Sequence, residues 1–224
     1  IHAGTVERDL PPEFFGMHLD WAENATGIVK PGSGTPRADV VELLRPLRIP
    51  IFRYPGGIHA DFYDWKKGVG PSRSRGGVRN AFTKEKETAL FGSPEFVDFA
   101  KQLGADACIT TNFGTGTPAD AGAWAQWFAE NGFKPSYWEV GSGIYLSGPS
   151  SNEPNSKEIY RSGAQYAREF PAFASAIKSA IPEAKVGAIA HFDTFAFPMA
   201  PSDNRNWTRD MLDELTVKAD FFAL

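Results

Sequence analysis

The sequence lacks the features that mark several large classes of protein. Its 224 residues include one cysteine, so no disulfide can form within the chain. No apolar run approaches the roughly 18 residues of a membrane-spanning helix, which argues against a membrane partner. The 23 Lys and Arg residues are outnumbered by 27 Asp and Glu, so the chain has no positive field of the kind that binds nucleic acid. No glycine-rich phosphate loop follows the first predicted strand, which argues against a nucleotide-binding sheet.

What the sequence does contain is the composition of a soluble globular protein. Apolar residues make up 42% of the chain and charged residues 22%, so disorder is not expected. We expect one domain over residues 1–224, and secretion and the cytoplasm both remain open as its compartment. Cys108 lies in an apolar run and is expected in the core. Arg73, Arg75 and Arg79 lie in a Ser/Gly-rich stretch and are expected to be solvated.

Patterns typical of buried strands alternate with helical patterns along the chain. The strand patterns are apolar throughout, which indicates a parallel sheet covered by helices on both faces. The stretch 58–90 has few periodic apolar residues, and we expect a large surface loop there. Thr35-Pro36, Ser93-Pro94 and Thr117-Pro118 are expected to begin helices. Strands are predicted at 13–19, 47–54, 106–113, 137–140, 185–192 and 219–224, and helices at 35–45, 93–104, 117–132, 156–181 and 207–215.

This alternation favours the α/β class, as an incomplete (β/α)₈ TIM barrel of about six strands and five helices. An open doubly wound sheet is the alternative. A complete barrel of this type has eight strands, and the last strand pattern stops at Leu224 with no turn or helix after it. We therefore expect that a missing C-terminal segment of the same protein completes the domain.

Polar side chains follow the predicted strands at their carboxyl ends. In a parallel barrel these ends meet at one face, so we expect a site for a polar ligand there. Arg53 lies within an apolar strand and should pair with a carboxylate, either that of Glu139, which points into the barrel, or one from a segment outside these 224 residues. The residues in question are His18, Asp20, Arg53, His59, Asp61, Asn112, Glu139, Ser142, Tyr145, His191 and Asp193.

The same face leaves a metal-dependent hydrolase open as an alternative. His18 with Asp20, His59 with Asp61 and the pair at 191 and 193 have His-x-Asp spacing, and imidazole and carboxylate groups can bind zinc. The His-x-His spacing familiar from zinc hydrolases is missing, and aspartates in these places also fit sugar hydroxyl groups. Our leading expectation therefore includes no cofactor and no metal.

Five segments occur in a fixed order along nearly the whole chain. They are Phe15-Gly16-Met17-His18-Leu19-Asp20, Arg53-Tyr54-Pro55-Gly56-Gly57, Tyr63-Asp64-Trp65 with Gly68-Val69-Gly70-Pro71, Asn112-Phe113-Gly114-Thr115-Gly116-Thr117-Pro118 and Tyr137-Trp138-Glu139-Val140-Gly141. Together they resemble the α-L-arabinofuranosidases of the large clan of retaining (β/α)₈ glycosidases. The second and fourth segments are the most specific.

The resemblance implies retaining hydrolysis of terminal arabinofuranosyl residues of plant polysaccharides by two carboxylates about 5 Å apart. In that family the general acid/base is the glutamate of an Asn-Glu pair at the tip of strand four, and these positions correspond to Ser142 and Gly143. The nucleophilic glutamate belongs to strand seven, beyond Leu224. Ile58 replaces an asparagine of the family. The substrate-binding residues that we expect are Asp20, Arg53, His59, Asn112, Ser142, Tyr145 and His191.

Glycine has no proton to donate, and serine does not replace a carboxylic acid of raised pKa. We therefore expect a glycosidase-like barrel domain that binds an arabinose-containing oligo- or polysaccharide but is inactive as this chain. A non-catalytic carbohydrate-binding barrel is the alternative from a different functional class.

Overall fold

The computed structural model describes residues 9–80, 83–146, 159–191 and 206–224, and the statements below concern these residues. Its strands are β1 (Met17–His18), β2 (Ile51–Tyr54), β3 (Gly77–Arg79), β4 (Lys86–Thr88), β5 (Asp106–Thr111), β6 (Tyr137–Val140), β7 (Lys185–Ile189) and β8 (Phe221–Ala223). Its helices are α1 (Ala22–Gly27), α2 (Ala38–Leu44), α3 (Ser93–Leu103), α4 (Pro118–Glu130), α5 (Gly163–Ala180) and α6 (Trp207–Glu214).

Six of the strands form one parallel sheet in the order β1-β2-β5-β6-β7-β8, and helices alternate with them along the chain. The register places Arg53 of β2 opposite Cys108 of β5, and Glu139 of β6 opposite Gly187 of β7. The predicted incomplete α/β barrel is confirmed. Because all six strands run in the same direction, their carboxyl ends lie at one face, as the site prediction requires.

The helices cover the sheet with an aromatic core. Phe96, Phe99 and Ala100 of α3 are buried, as their helical spacing predicts. Trp124 of α4 stacks on Trp65 with 6.1 Å between the ring centroids. No helix in the described part of the chain is both long and apolar enough to cross a bilayer.

The predicted first strand is mostly not a strand. Residues Pro12–Phe15 form a 3₁₀ turn, and β1 contains Met17 and His18 alone. Proline has no backbone N–H for a strand ladder and its fixed φ favours a turn, so the apolar pattern over 13–19 was misleading. Phe14 and Phe15 are 66% and 64% exposed.

One of the three predicted helix starts is different. Pro36 pairs with Val29 in an isolated antiparallel bridge, and α2 begins two residues later. Helix α3 begins at Ser93 as predicted, but Gly92 is its N-cap, and the Ser93 hydroxyl instead accepts a hydrogen bond from the buried Trp124 indole at 2.9 Å. The third prediction is confirmed, because the Thr117 side chain accepts from the backbone N–H of residue 120.

The stretch 58–90 is folded and partly buried, which corrects the prediction of a surface loop. It contains 3₁₀ turns at Ile58–Phe62, Trp65–Gly68 and Ser72–Ser74, followed by the antiparallel hairpin of β3 and β4. We call β3, β4 and the described residues between them, Asn80 and 83–85, the 77–88 hairpin. The Arg75 side chain is 1% exposed and forms two 2.8 Å hydrogen bonds with the Glu95 carboxylate, so the prediction of a solvated Arg75 is wrong.

Other element boundaries differ by a few residues. Helix α1 was not predicted, and β7 ends at Ile189, three residues before the predicted end. Helix α5 continues through Pro171, and the first residues predicted for it, 156–158, lie outside the described residues, as does residue 192.

Candidate functional site

An ion pair between Arg53 and Glu139 lies at the centre of the carboxyl-end face. The Glu139 Oε2 atom accepts hydrogen bonds from Arg53 Nε at 2.7 Å and from Thr110 Oγ1 at 3.0 Å. Burial works to lower the pKa of Arg53, but the adjacent Glu139 carboxylate outweighs it and the pKa is raised. The pairing predicted from an arginine inside an apolar strand is confirmed.

Asp20 approaches this face over the glycines that follow β2. A Cβ atom on Gly56 would lie 2.8 Å from Asp20 Cγ, and Gly56 has a φ of +120°, a conformation open to glycine. The Asp20 carboxylate accepts from the backbone N–H of Ala22 at 3.0 Å and meets the His59 ring at 2.7 Å. The Pro-Gly-Gly sequence therefore makes room for an acidic side chain at the mouth of the barrel.

Backbone N–H groups fix the position of the residues that follow β6. The N–H groups of Ser142 and Gly143 donate to Asp61 Oδ2 at 3.2 Å and 2.7 Å. The Ser142 hydroxyl in turn accepts from Arg53 Nη2 at 3.1 Å. Ser142 and Gly143, which the resemblance aligns with an acid/base pair, are thus held in place by hydrogen bonds to Asp61 and, for Ser142, to Arg53 as well.

Asp61 is fully buried, and burial raises its pKa to about 7 although the N–H groups of Gly143 and Ser142 oppose the shift. The sequence placed Asp61 among the residues at the strand ends but gave no signal for this contact with the tip of β6. The reason is that 81 residues separate Asp61 from Ser142, and their proximity depends on the fold of the stretch 58–90.

A groove of about 520 Å³ opens beside the ion pair. Arg53, Glu139, Ser142 and Tyr145 supply its polar wall, and residues 189 and 221–224 supply an apolar wall. The Tyr145 ring lies 4.8 Å from the His191 ring, between ring centroids. The expected site residues Arg53, Ser142 and Tyr145 are therefore together, and His191 lies directly beside them.

Asn112 lies in a different cavity. Its side-chain oxygen accepts from the N–H groups of Thr115 and Gly116 at 2.9 Å and 3.1 Å, and its amide donates to the Tyr63 carbonyl. The cavity, of about 380 Å³, is also lined by Trp65 and by part of the 77–88 hairpin. Here Asn112 stabilises the turn after β5, and a role in sugar binding remains a prediction.

The three histidines that the structure describes do not belong to a group of side chains that could hold a metal ion. No group of three or more His, Cys, Asp or Glu side chains that could hold a metal ion occurs among the residues that the structure describes. His18 Nδ1 lies 3.0 Å from Arg53 Nη1, and its Nε2 atom faces the backbone N–H of Gly57 at 3.2 Å. Burial and the neighbouring Arg53 cation lower the pKa of His18. Asp193 of the third His-x-Asp pair lies outside the described residues.

Comparisons with known proteins agree with this geometry. A family model, the α-L-arabinofuranosidase 1 domain, matches residues 43–130. An intracellular exo-α-L-arabinofuranosidase of Bacteroides ovatus is 27% identical over 197 residues, which cover 76% of this chain and 38% of that protein. The α-L-arabinofuranosidase C of Emericella nidulans is 32% identical over 155 residues, which cover 60% of this chain and 30% of that protein. The chain thus spans about a third of the length of these curated relatives.

Solved structures show the same relationship. A thermostable family 51 α-L-arabinofuranosidase from Thermotoga petrophila superposes with a TM-score of 0.70 at 26% identity, covering 93% of this chain and 44% of that one. A family 51 enzyme from Bifidobacterium longum, at 23% identity, matches in fold with a TM-score of 0.75 over 97% of this chain. This chain is therefore similar in sequence and in fold to part of the barrel domain of α-L-arabinofuranosidases, and it covers less than half of the length of the solved enzymes that it matches.

Proposed function

We propose that the carboxyl-end face binds a terminal arabinofuranosyl residue of an oligo- or polysaccharide, and that this chain does not hydrolyse it. The observation that supports the proposal is the polar wall of the groove. Arg53, Glu139 and Ser142 come from two different strands and meet at the barrel mouth, in a chain whose relatives are named arabinofuranosidases.

The chemistry of the groove suits a small neutral polyol. Charged groups that are already paired can still exchange hydrogen bonds with hydroxyl groups, and the Tyr145 ring offers a flat apolar surface beside them. A volume of about 520 Å³ lies within the range of small-molecule sites and holds one or two sugar rings. Both carboxylate oxygens of Asp20 are hydrogen-bonded, so the position of Asp20 is fixed before a ligand arrives.

No carboxylic acid at the tip of β6 is placed to protonate a leaving group. Gly143 has no side chain, and the Ser142 hydroxyl is hydrogen-bonded to Arg53. Glu139 is engaged by the same arginine, and Asp61 is buried beneath the backbone of the tip. General acid/base catalysis contributes about 10²–10⁴-fold, so we propose that turnover by this chain is negligible.

Isothermal titration of the 224-residue chain with methyl α-L-arabinofuranoside tests binding, and methyl β-D-xylopyranoside serves as the matched pyranoside control. We expect heat of binding with the furanoside and a weaker response or none with the pyranoside. The Arg53→Met variant should lose the furanoside signal, whereas the surface variant Asn131→Ala should keep it. Absence of furanoside binding by the folded wild-type chain would overturn the proposal.

Release of nitrophenol from an aryl α-L-arabinofuranoside tests the catalytic part of the proposal separately. We expect the rate to equal the buffer background. Turnover well above background that disappears in Arg53→Met would show that the chain supplies a proton donor from somewhere else. Binding without turnover is also the result expected of a non-catalytic carbohydrate-binding barrel. An inactive glycosidase-like domain and such a binding barrel therefore differ in evolutionary origin and not in the behaviour of this chain.

A further inference from the structure

His59 is the second histidine of the carboxyl-end face. Its ring nitrogens face oxygen atoms, whereas those of His18 face N–H groups. Its Nδ1 atom lies 2.7 Å from Asp20 Oδ2, and its Nε2 atom lies 3.2 Å from Asn80 Oδ1. Asn80 follows β3 in the 77–88 hairpin and is itself buried. Each nitrogen of the His59 ring therefore faces an oxygen atom.

The hydrogen bonds of Asn80 fix which of its amide atoms faces His59. Asn80 Oδ1 also accepts from the backbone N–H of Thr83 at 3.1 Å, and Asn80 Nδ2 donates to Glu87 Oε1 at 2.6 Å. A flipped amide would place its NH₂ group against the Thr83 N–H and its oxygen against the Glu87 carboxylate, and both contacts are repulsive. The atom that faces His59 Nε2 is therefore an acceptor, and Nε2 must carry a proton.

The proton on the other ring nitrogen follows from the same reasoning. A neutral His59 would turn a lone pair either towards the Asp20 carboxylate or towards Asn80 Oδ1, and neither can donate to it. Burial works to lower the pKa of His59, but hydrogen bonds to Asp20 and Asn80 and the nearby Glu87 carboxylate raise it overall. Burial would raise the pKa of Asp20, but the hydrogen bonds from His59 and from the Ala22 N–H leave it lowered.

Hydrogen bonds also join the segment that follows β1 to the 77–88 hairpin at a second place. Glu87 Oε2 accepts from the backbone N–H of Glu23 at 3.1 Å, three residues after Asp20. The segment that contains Asp20 is thus held at one end by His59 and at the other by Glu87. The carboxylates of Asp20 and Glu87 raise the pKa of His59, and the neighbouring ionisable group coupled to it is His18, whose own pKa is lowered.

We propose that Asn80 is a positioning residue that keeps His59 as an imidazolium, and that this cation fixes the Asp20 carboxylate for sugar binding. The proposal rests on the proposed function of the carboxyl-end face for its consequence, but not for the charge state itself. Asn80 does not contact the groove, so its effect on a ligand is transmitted through His59.

The charge state can be measured without any sugar. Two-bond ¹H–¹⁵N correlation spectra of the full chain, assigned with a His59→Gln variant, report whether each ring nitrogen carries a proton. At pH 7 we expect both nitrogens of His59 protonated, with a titration midpoint above 6.5, and His18 neutral. The variant Asn80→Ala should lower the His59 midpoint by about one pH unit, because a hydrogen bond to a charged group is lost.

Glu87→Gln is a second variant in case Asn80→Ala does not fold, and it should produce a smaller downward shift of the same midpoint. Asn131→Ala changes an exposed amide at the carboxyl end of α4 and should produce none. A His59 ring with one proton at pH 7 and a midpoint at or below 6.5 would overturn the proposal, whatever the chain binds.

The link to the sugar is tested by titrating the same variants with methyl α-L-arabinofuranoside from pH 5.5 to 8.5. Asn80→Ala should weaken binding about tenfold at pH 7, and less at pH 5.5, because the lower pH restores the imidazolium form of His59 in the variant. Equal affinity of the variant and the wild type at every pH would refute the positioning role. If no protein binds the sugar while His59 is protonated and sensitive to residue 80, the proposed function fails and the charge assignment stands.

Discussion

Deprotonation of Asp61 should destabilise this chain as the pH rises. The pKa of Asp61 is about 7 in the folded chain and 3.8 for an ordinary aspartate. A carboxyl group whose pKa is raised by folding stabilises the fold fully below the lower value, and this stabilisation is lost as the pH rises through the higher value. For these two values, the free energy of unfolding falls by about 2.5 kcal/mol between pH 5 and pH 8 through Asp61 alone.

Asp61→Asn removes this titration and keeps an acceptor for the Gly143 N–H, so its unfolding free energy should lack that fall. The measurement is urea unfolding at pH 5, 6, 7 and 8, followed by tryptophan fluorescence. Comparison with the wild type cancels the contributions of the histidines. Asp64→Asn is the matched control, because Asp64 belongs to the same folded stretch but its side chain is 44% exposed. Identical pH dependence of the wild type and Asp61→Asn would refute the assigned burial of a carboxyl group beneath the tip of β6.

Three further predictions concern other contacts. Arg53→Met should cost about 3 kcal/mol of unfolding free energy, because it leaves the Glu139 carboxylate buried without its partner, and the double variant with Glu139→Leu should recover part of that loss in urea unfolding. Arg75→Met should also cost about 3 kcal/mol by the same assay, since its guanidinium is buried, whereas a solvated arginine would cost under about 0.5 kcal/mol. The double variant Ser142→Asn with Gly143→Glu should remain inactive on an aryl arabinofuranoside in the 224-residue chain, and a rate above that of the wild type would contradict this.

The parallel sheet was predictable because apolar strand patterns and helical spacing are properties of consecutive residues. Phe96, Phe99 and Ala100 lie on the buried face of α3 as their spacing requires. The Arg53–Glu139 pair was predictable for a different reason, since a cation in an apolar strand needs a counter-charge and the position of Glu139 in its strand points it into the barrel. Both inferences use a rule that holds without knowledge of the tertiary structure.

The role of the stretch 58–90 could not be predicted in the same way. It contains little regular periodicity, so its residues resemble a solvated loop, yet Arg75 is buried against Glu95 of α3, Asp61 is buried beneath the tip of β6, and Asn80 is buried within the stretch itself. Nothing in the local sequence distinguishes Asp61, which supports the tip of β6, from Asp64, which is half exposed. The helix start at Ser93 was predictable, but the role of its hydroxyl was not, because Gly92 is the N-cap of α3 and the Ser93 hydroxyl accepts from Trp124 of another helix.

The charges of the carboxyl-end face indicate the kind of ligand that it can accept. Arg53 is paired with Glu139, and the imidazolium that we assign to His59 is paired with Asp20, so the two cations and two anions cancel. An anionic sugar such as a uronic acid would have to compete with Glu139 for the guanidinium and would lie near the Asp20 carboxylate, and both effects oppose its binding. A neutral furanose exchanges hydrogen bonds with these pairs without separating them. The balance of charge therefore favours a neutral arabinofuranosyl residue over an acidic one, and glucuronic acid should not displace methyl α-L-arabinofuranoside in a competition titration.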